Sequence, residues 1–246
     1  MMRFSELPLL WWLDCRMDFR LSATMLTVVP TPIGNLSDIT LRALEVLKSV
    51  DWIACEDTRH TKRLLDHYEI SGRLMALHDH NEEKQIPEVI AKLEGGETLA
   101  LVSDAGMPLV SDPGFRVMRA VRAAGLPVTV LPGPSAPITA LVASGLPPYP
   151  HRFGGFLPVK KGKRGKELSA ALERGETAIY FESPHRLMST LEILSVLSPE
   201  LHVVVARELS KKFETIHAAG AKELYEHFRH HQAKGEIVLL FHPELS

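Results

Sequence analysis

The stretch with the clearest chemical content is Ser103–Gly114 (SDAGMPLVSDPG), a loop-like segment of small residues that carries two aspartates. Asp104 and Asp112 have short side chains, so a ligand that they contact has to come close to the main chain. Ala105 and Gly106 leave room for such an approach, since neither carries a bulky side chain. The segment therefore predicts a binding loop that offers backbone amides and a carboxylate. In isolation, a turn capped by aspartate side chains explains it equally well.

The elements around this loop place it at the edge of a sheet. Thr98–Val102 (TLALV) is a continuous apolar run, typical of a parallel strand that is buried on both faces. A helical pattern follows from about Phe115 to Ala124. Open α/β sheets bind their ligands at the carboxyl ends of the strands, so this order of elements favours a binding site at the loop.

Further apolar runs alternate with helical patterns along the chain. In the first half these strand-like runs are Leu26–Val29, Asp51–Ala54, Leu74–Leu77 and Pro127–Leu131. The alternation predicts a parallel, doubly wound domain over residues 25–146, and the sequence GLPPYP at Gly145–Pro150 is typical of a linker. In the second half the runs are Thr177–Phe181, His202–Ala206 and Glu236–Phe241. They predict a second α/β domain over residues 147–246, so the fold class is α/β with two domains.

The composition is that of an ordinary globular protein. Its 246 residues carry a net charge of −2, which argues against indiscriminate coating of nucleic acid. Cys15 and Cys55 have neither metal-ligand spacing nor a disulfide pattern, so a reducing cytoplasm is expected. The sequence contains no run of about 18 apolar residues, so no membrane span is predicted. Residues 1–24 precede the first strand pattern and are predicted to be a dispensable extension.

Two clusters of polar or charged residues have the composition of binding sites, one for a metal ion and one for phosphate. His78 and His80 stand two residues apart, but no third histidine or cysteine lies nearby, so a polar loop is favoured and no metal is predicted. A basic run follows the linker, and its members are Lys160, Lys161, Lys163, Arg164 and Lys166. Contacts to RNA phosphates call for lysine and arginine, whereas a solvated basic loop that opens a helix explains the run equally well.

Several motifs occur in order, each after a predicted strand or at the start of a helix. They are PTPIGN, ACEDTR at Ala54–Arg59, HNE at His80–Glu82, SDAGMPLVSDPG, PGPSA, FESPHR, RELSKKFE and KGE at Lys234–Glu236. Through these motifs the chain resembles the ribosomal RNA small-subunit methyltransferase I family of the tetrapyrrole-methylase superfamily, from Met25 to about Phe241. It departs from that family in its N-terminal extension and in ending soon after the last strand, where many members continue with a helical segment.

The resemblance implies two α/β domains of the tetrapyrrole-methylase type, with S-adenosylmethionine in the cleft between them. The implied protein is a cytoplasmic homodimer that methylates the 2′-oxygen of a cytidine ribose in the decoding region of 16S rRNA, within the small ribosomal subunit. Carried over by motif, the residues implied to contact the cofactor are Pro32, Ser103, Asp104, Ala105, Gly106, Leu109 or Val110, Ser135, Ala136, Phe181 and Ala206. The common dinucleotide fingerprint G-x-G-x-x-G is missing, which agrees with this picture.

Methyl transfer to a ribose needs alignment of the oxygen with the methyl group, and a group that takes the proton or stabilises the developing alkoxide. The candidates for that role are Glu182, His185, Arg186, Arg207, Glu208 and Lys212, with Asp57 and Arg59 from the first half. An ion pair between Arg207 and Glu208 is an equally good structural explanation of those two residues. The sequence does not single out a base.

Two other functions are compatible with the sequence. A methyltransferase of the same superfamily can act on a tetrapyrrole or on a protein side chain, and an RNA-binding assembly factor needs no catalysis. The basic run and the ESPHR motif favour RNA as the substrate.

Overall fold

The structure is a computed structural model, and it describes residues 25–243. The strands of the first half form one parallel sheet in the order β3-β2-β4-β1-β5. They are β1 (Met25–Val28), β2 (Trp52–Cys55), β3 (Arg73–Ala76), β4 (Thr98–Leu101) and β5 (Val128–Val130). The helices of this half are α1 (Leu41–Ser49), α2 (Thr58–His67), α3 (Glu82–Glu94), α4 (Phe115–Ala123) and α5 (Ala136–Ser144). The prediction of a parallel sheet alternating with helices is confirmed.

Both faces of this first sheet are buried, as its continuous apolar strands require. Successive side chains of β2 point to opposite faces, so Ile53 packs with α1 and α2, whereas Ala54 packs with α3 and α4. The loops at the carboxyl ends of the strands are therefore held on a rigid base.

The strands of the second half form a mixed sheet in the order β6-β7-β10-β8-β9. They are β6 (His151–Phe156), β7 (Thr177–Glu182), β8 (His202–Arg207), β9 (Thr215–Gly220) and β10 (Ile237–Phe241). Strands β6 and β7 are parallel, and the other neighbours are antiparallel. The helices are α6 (Lys161–Glu173), α7 (Pro184–Leu197) and α8 (Ala221–His230). Two strands, β6 and β9, were not predicted.

Helix α5 connects the two halves by packing on the second sheet. Its Ala140 and Leu141 lie in one apolar cluster with Ile179, Val204 and Leu240. The other face of the second sheet is covered by α6, α7 and α8, which share a cluster with β7, β8 and β10. The domain boundary after residue 146 stays a prediction, and residues 1–24 lie outside the described part of the chain.

No helix between residues 25 and 243 is long and apolar enough to cross a membrane.

Candidate active site

A cavity of about 380 Å³ lies between the carboxyl edge of the first sheet and the strand ends of the second. Five residues of the first half that were implied to contact the cofactor line it, and they are Asp104, Ala105, Gly106, Ser135 and Ala136. From the second half, Phe181 and Ala206 line it too. Val110 lines it as well, whereas Pro32, Ser103 and Leu109 are not among the lining residues. The loops that the sequence singled out thus meet at one place.

A short bridge ties the central loop to the loop that follows β1. The amide of Thr31 donates to the carbonyl of Gly106 (2.9 Å), and the amide of Gly106 donates to the carbonyl of Thr31 (3.0 Å). The Thr31 hydroxyl also donates to the carbonyl of Ser103 (3.0 Å). Gly106 has a φ of +80°, a conformation that glycine adopts at little cost. Gly106 therefore shapes the cavity wall through its backbone conformation, and its amide is already engaged within the protein.

The start of α2 is joined to the same loop through Asp104. One carboxylate oxygen of Asp104 accepts the amide proton of Asp57 (3.2 Å). Asp57 itself accepts hydrogen bonds from the amide (2.8 Å) and the guanidinium (2.7 Å) of Arg59. These hydrogen bonds from the Arg59 side chain and backbone hold the pKa of Asp57 well below its usual range. Asp57 and Arg59 do not line the cavity. Both candidates lie at the start of α2, next to the loop that carries Asp104.

The wall formed by the first sheet is acidic. Burial raises the pKa of Asp112 to about 6, with further contributions from the charges of Asp104 and Asp79, while Ser103 acts in the opposite direction. Burial also raises the pKa of Glu56, and the charges of Asp104 and Asp112 add to that effect. A negative potential therefore extends along this edge of the sheet, and it favours a cationic ligand over a neutral one.

Glu182 is the candidate for catalysis that lines the cavity, but its oxygens are occupied. Its side chain is fully buried, with 0% exposed. One oxygen accepts the amide proton of Ser183 (2.7 Å) and the Nε proton of Arg186 (3.0 Å), and the other accepts the hydroxyl proton of Thr190 (2.5 Å). Glu182 and Arg186 thus fix the start of α7, while His185 is exposed and is not a lining residue.

Arg207 is held away from the cavity by three hydrogen bonds. Its guanidinium donates to the Thr215 hydroxyl (3.1 Å) and to the carbonyls of Lys234 (3.0 Å) and Phe213 (3.1 Å). Glu208 instead accepts from the ammonium group of Lys211 (3.1 Å). Among the described residues Arg207 and Glu208 thus have separate partners, and the structural alternative in which they form an ion pair with each other is wrong.

Lys212 completes the candidates for catalysis. It is exposed and is not a lining residue, and its ammonium group lies 5.5 Å from the ring centroid of Phe213.

The basic run is divided by the fold into a buried arginine and exposed lysines. Arg164 is 3% exposed and donates to the carbonyls of Pro158 (3.2 Å) and Val159 (3.1 Å) and to the Ser189 hydroxyl (2.8 Å). Arg164 therefore supports the start of α6, and the expectation that it contacts phosphate is wrong. Lys161 pairs with Glu192 (2.7 Å). Three further lysines at the start of α6 are exposed, namely Lys160 just before the helix and Lys163 and Lys166 in its first two turns.

Glu82 is a site residue whose role was not predicted from the sequence, although its HNE motif was noted. It is buried, and its Oε1 accepts the amide protons of Gly114 (3.2 Å), Arg116 (2.6 Å) and Val117 (3.1 Å). A carboxylate at the first turn of α4 satisfies amides that have no partner within the helix. Glu82 thus fixes the end of the central loop from the start of a neighbouring helix.

The structure does not place the two histidines after β3 in a metal-binding cluster. The ring centroids of His78 and His80 lie 6.1 Å apart. Among residues 25–243, no group of three histidine, cysteine, aspartate or glutamate side chains is arranged to hold a metal ion.

Comparisons with known proteins indicate one family. The model of the Tetrapyrrole (Corrin/Porphyrin) Methylases matches residues 25–225. The ribosomal RNA small subunit methyltransferase I of Escherichia coli O157:H7 is 52% identical over 222 residues, which cover 89% of this chain and 78% of that protein. The protein of the same name from Bacillus subtilis (strain 168) is 44% identical over 216 residues, covering 88% of this chain and 74% of that protein.

Solved structures share the fold at low sequence identity. The crystal structure of diphthine synthase superposes with a TM-score of 0.71 at 15% identity, covering 91% of this chain and 92% of that one. The structure of uroporphyrin-III-C-methyltransferase from Thermus thermophilus gives a TM-score of 0.60 at 19% identity, covering 88% and 94%. These likenesses confirm the predicted fold class.

Proposed function

Because the chain belongs to the ribosomal RNA small subunit methyltransferase I family of the tetrapyrrole methylases, we propose that it transfers the methyl group of S-adenosylmethionine to a cytidine 2′-hydroxyl in the decoding region of 16S rRNA. The observation that carries this proposal is the cavity in which the implied cofactor loops of both halves meet.

The chemistry of the cavity fits S-adenosylmethionine. The sulfonium group is a cation, and the wall with Asp104 and Asp112 is acidic. Phe181 and Ala206 on the opposite wall supply apolar surface for the adenosine part. Residues Asp104, Ser135, Ala136 and Phe181 would hold the cofactor. When bound, it supplies an activated methyl group, and the protein has to align the ribose oxygen with that group.

The RNA contact is proposed for the start of α6, from Lys160 just before the helix to Lys166 in its second turn. Lys160, Lys163 and Lys166 are exposed there, and Phe156, at the end of the strand before them, lines the cavity. Lysine side chains position an RNA backbone through its phosphates. The homodimer and the cytoplasmic location remain predictions of the resemblance.

Methyl incorporation into small ribosomal subunits tests the proposal. Purified protein and methyl-labelled S-adenosylmethionine are incubated with 30S particles that lack the modification, and the product is mapped by mass spectrometry of nuclease fragments. We expect label on one cytidine ribose. Label on a base, on a ribosomal protein or on no component would contradict the proposed reaction, and transfer to a tetrapyrrole would support the alternative substrate class.

The acidic wall predicts that discrimination between the cofactor and its product depends on pH. S-adenosylhomocysteine lacks the methyl group and the positive charge of S-adenosylmethionine. A bound cation favours the ionised form of Asp112, whose pKa is raised to about 6, so its attraction is full above that pH and is lost below it. Calorimetry should show that the preference for S-adenosylmethionine falls about threefold between about pH 7.5 and 5.5. An unchanged ratio of the two affinities would place the sulfonium away from Asp112.

A further inference from the structure

A second cleft, of about 400 Å³, opens on the second half of the protein beside α8. Its lining residues are basic, aromatic or uncharged, and they are Arg207, His217, His227, Phe228, His231, Gln232, Ala233 and Lys234. No carboxylate is among these lining residues in the part of the chain that the structure describes. A concave surface that carries basic groups and lacks acidic ones attracts an anion.

Arg207 brings to this cleft a positive charge that stays without an ion-pair partner among residues 25–243. Its guanidinium donates to three neutral oxygens, those of the Thr215 hydroxyl and of the Lys234 and Phe213 carbonyls. These bonds fix the plane of the guanidinium without neutralising it. A guanidinium has five N–H donors, so two of them remain for a ligand. Two donors on one plane match the oxygens of a phosphate group.

Three histidine rings form a row along the wall of the cleft. The ring centroids of His217 and His227 lie 4.8 Å apart, and those of His227 and His231 are also separated by 4.8 Å. The buried ring of Phe228 contacts both His217 and His227 and supports the row from below. Nδ1 of His231 lies 3.1 Å from the carbonyl of His227, and a carbonyl only accepts, so this nitrogen carries a proton. Protonation of the other nitrogen, Nε2, gives a cationic donor at the mouth of the cleft.

The positive charges of the cleft act on one another. Burial lowers the pKa of His217, and the charges of His227 and Arg207 lower it further. A bound anion relieves this repulsion and favours protonation of the three histidines. A metal ion would meet the charges of Arg207 and Lys234, and no three side chains between residues 25 and 243 are arranged to hold one. The cleft therefore suits an anion.

The cleft adjoins the cavity of the proposed methyl transfer at two points of the chain. Ala206 lines the cavity and Arg207 lines the cleft, and likewise Gly235 lines the cavity and Lys234 lines the cleft. Successive side chains of a strand point to opposite faces of the sheet. The two openings thus lie on either face of the second sheet at one edge, where β8 ends and β10 begins. A strand of RNA that leaves the cavity over this edge reaches the cleft next.

We propose that the cleft binds a phosphodiester group of the substrate RNA beside the nucleotide that is methylated; this role rests on the proposed function. Arg207, Lys234 and protonated His231 donate to the phosphate oxygens. The exposed lysines at the start of α6 follow β6, and β7 and β10 lie between β6 and β8 in the sheet. The RNA is then held on both sides of the cavity. Phosphate contacts fix the position of a strand, so the cleft helps to select which ribose enters the cavity.

The test removes one imidazole and one ammonium group of the cleft in the double variant His231→Gln/Lys234→Gln. Both side chains are exposed, and neither lines the cavity. Affinity for 30S particles is measured at several salt concentrations. We expect binding at low salt to weaken about tenfold, and the slope of log affinity against log salt to become shallower by about 1 unit, because one phosphate contact is lost. Calorimetry should find the wild-type affinity for S-adenosylmethionine.

His230→Gln/Lys222→Gln is the matched control. It removes the same two kinds of group from exposed positions of α8 that do not line the cleft. The net charge changes equally in both double variants, so a general loss of positive charge weakens binding equally in both. We expect the control to keep the wild-type slope. Melting curves should show that both variants fold, and if the cleft variant does not, Lys234→Gln is compared with Lys222→Gln by the same criteria.

Two results would overturn the proposal. One is a cleft variant with the slope of the wild type, and a pKa of His231 that rises in NMR on addition of inorganic phosphate would then assign the cleft to a free anion instead. The other is an equal loss of affinity in the cleft variant and its control, which would reflect net charge alone. Absence of methyl transfer by the wild type would refute the proposed function itself, whereas an unchanged slope in a variant that still methylates 30S particles would refute only the role of the cleft.

Discussion

Replacing Gly106 with valine is expected to weaken S-adenosylmethionine binding by about tenfold or more, which corresponds to about 1.4 kcal/mol or more. The φ of +80° is costly for a residue with a branched side chain. A Cβ atom at this position would lie 3.2 Å from Cγ2 of Ile33, which lines the same cavity. Relief of this strain would break the bridge to Thr31 and displace both loops.

Gly125→Val provides a matched control for this variant. Gly125 has a similar φ of +70°, and a Cβ atom there meets nothing within 4 Å. It lies in the turn after α4 and is not a lining residue. Both variants should lose stability, as melting curves would show, but calorimetry should find reduced cofactor affinity in Gly106→Val alone. Equal affinity in the two variants would mean that the central loop does not contact the cofactor.

Replacing Arg164 with glutamine is expected to reduce the free energy of unfolding by about 2–4 kcal/mol. The change removes the hydrogen bonds to Pro158, Val159 and Ser189 and leaves the two carbonyls and the hydroxyl without this donor inside the protein. Urea denaturation followed by circular dichroism measures the effect. A loss below about 0.5 kcal/mol would show that Arg164 lies at the surface.

The matched variant for Arg164→Gln changes its three exposed neighbours, Lys160, Lys163 and Lys166, to glutamine. Stability should stay within about 0.5 kcal/mol of the wild type, since none of the three side chains is buried. If the lysines contact phosphates, the slope of log affinity for 30S particles against log salt should become shallower by about 2 units. Lys161 is left unchanged because it pairs with Glu192. Parallel lines for variant and wild type would rule out a phosphate contact by these residues.

The first half of the fold could be predicted from the sequence because its strands are buried on both faces. Runs such as Thr98–Val102 are continuous and apolar, and each ends in a loop of small or acidic residues. Two strands of the second half escaped prediction for the opposite reason. Strands β6 (HRFGGF) and β9 (TIHAAG) form the two edges of their sheet, so each has one neighbour and several exposed residues. Edge strands need no apolar run, and glycine and alanine weaken the sequence pattern of a strand further.

The residues of the cavity could be predicted in part. Motifs at strand ends identify Asp104, Ser135 and Phe181 because each follows or ends a strand at the edge where the sheets face each other. The sequence does not reveal which charged groups are already paired. Arg164 belongs to a basic run, and its partner Ser189 lies 25 residues further along the chain. Glu182 likewise has the residue type of a catalytic group, and the sequence does not reveal that it accepts a hydrogen bond from Thr190.

The position of β10 has a consequence for synthesis of the protein. Strands β1 to β5 all precede residue 131, so a growing chain can complete the first sheet early. Strand β10 lies between β7 and β8 but follows both in the sequence. Until Ile237–Phe241 leaves the ribosome, β7 and β8 each present an unpaired edge to the cell, and such edges readily pair with other chains. We therefore expect the second half of the nascent protein to be the part that is more prone to pair with other chains before its sheet is complete.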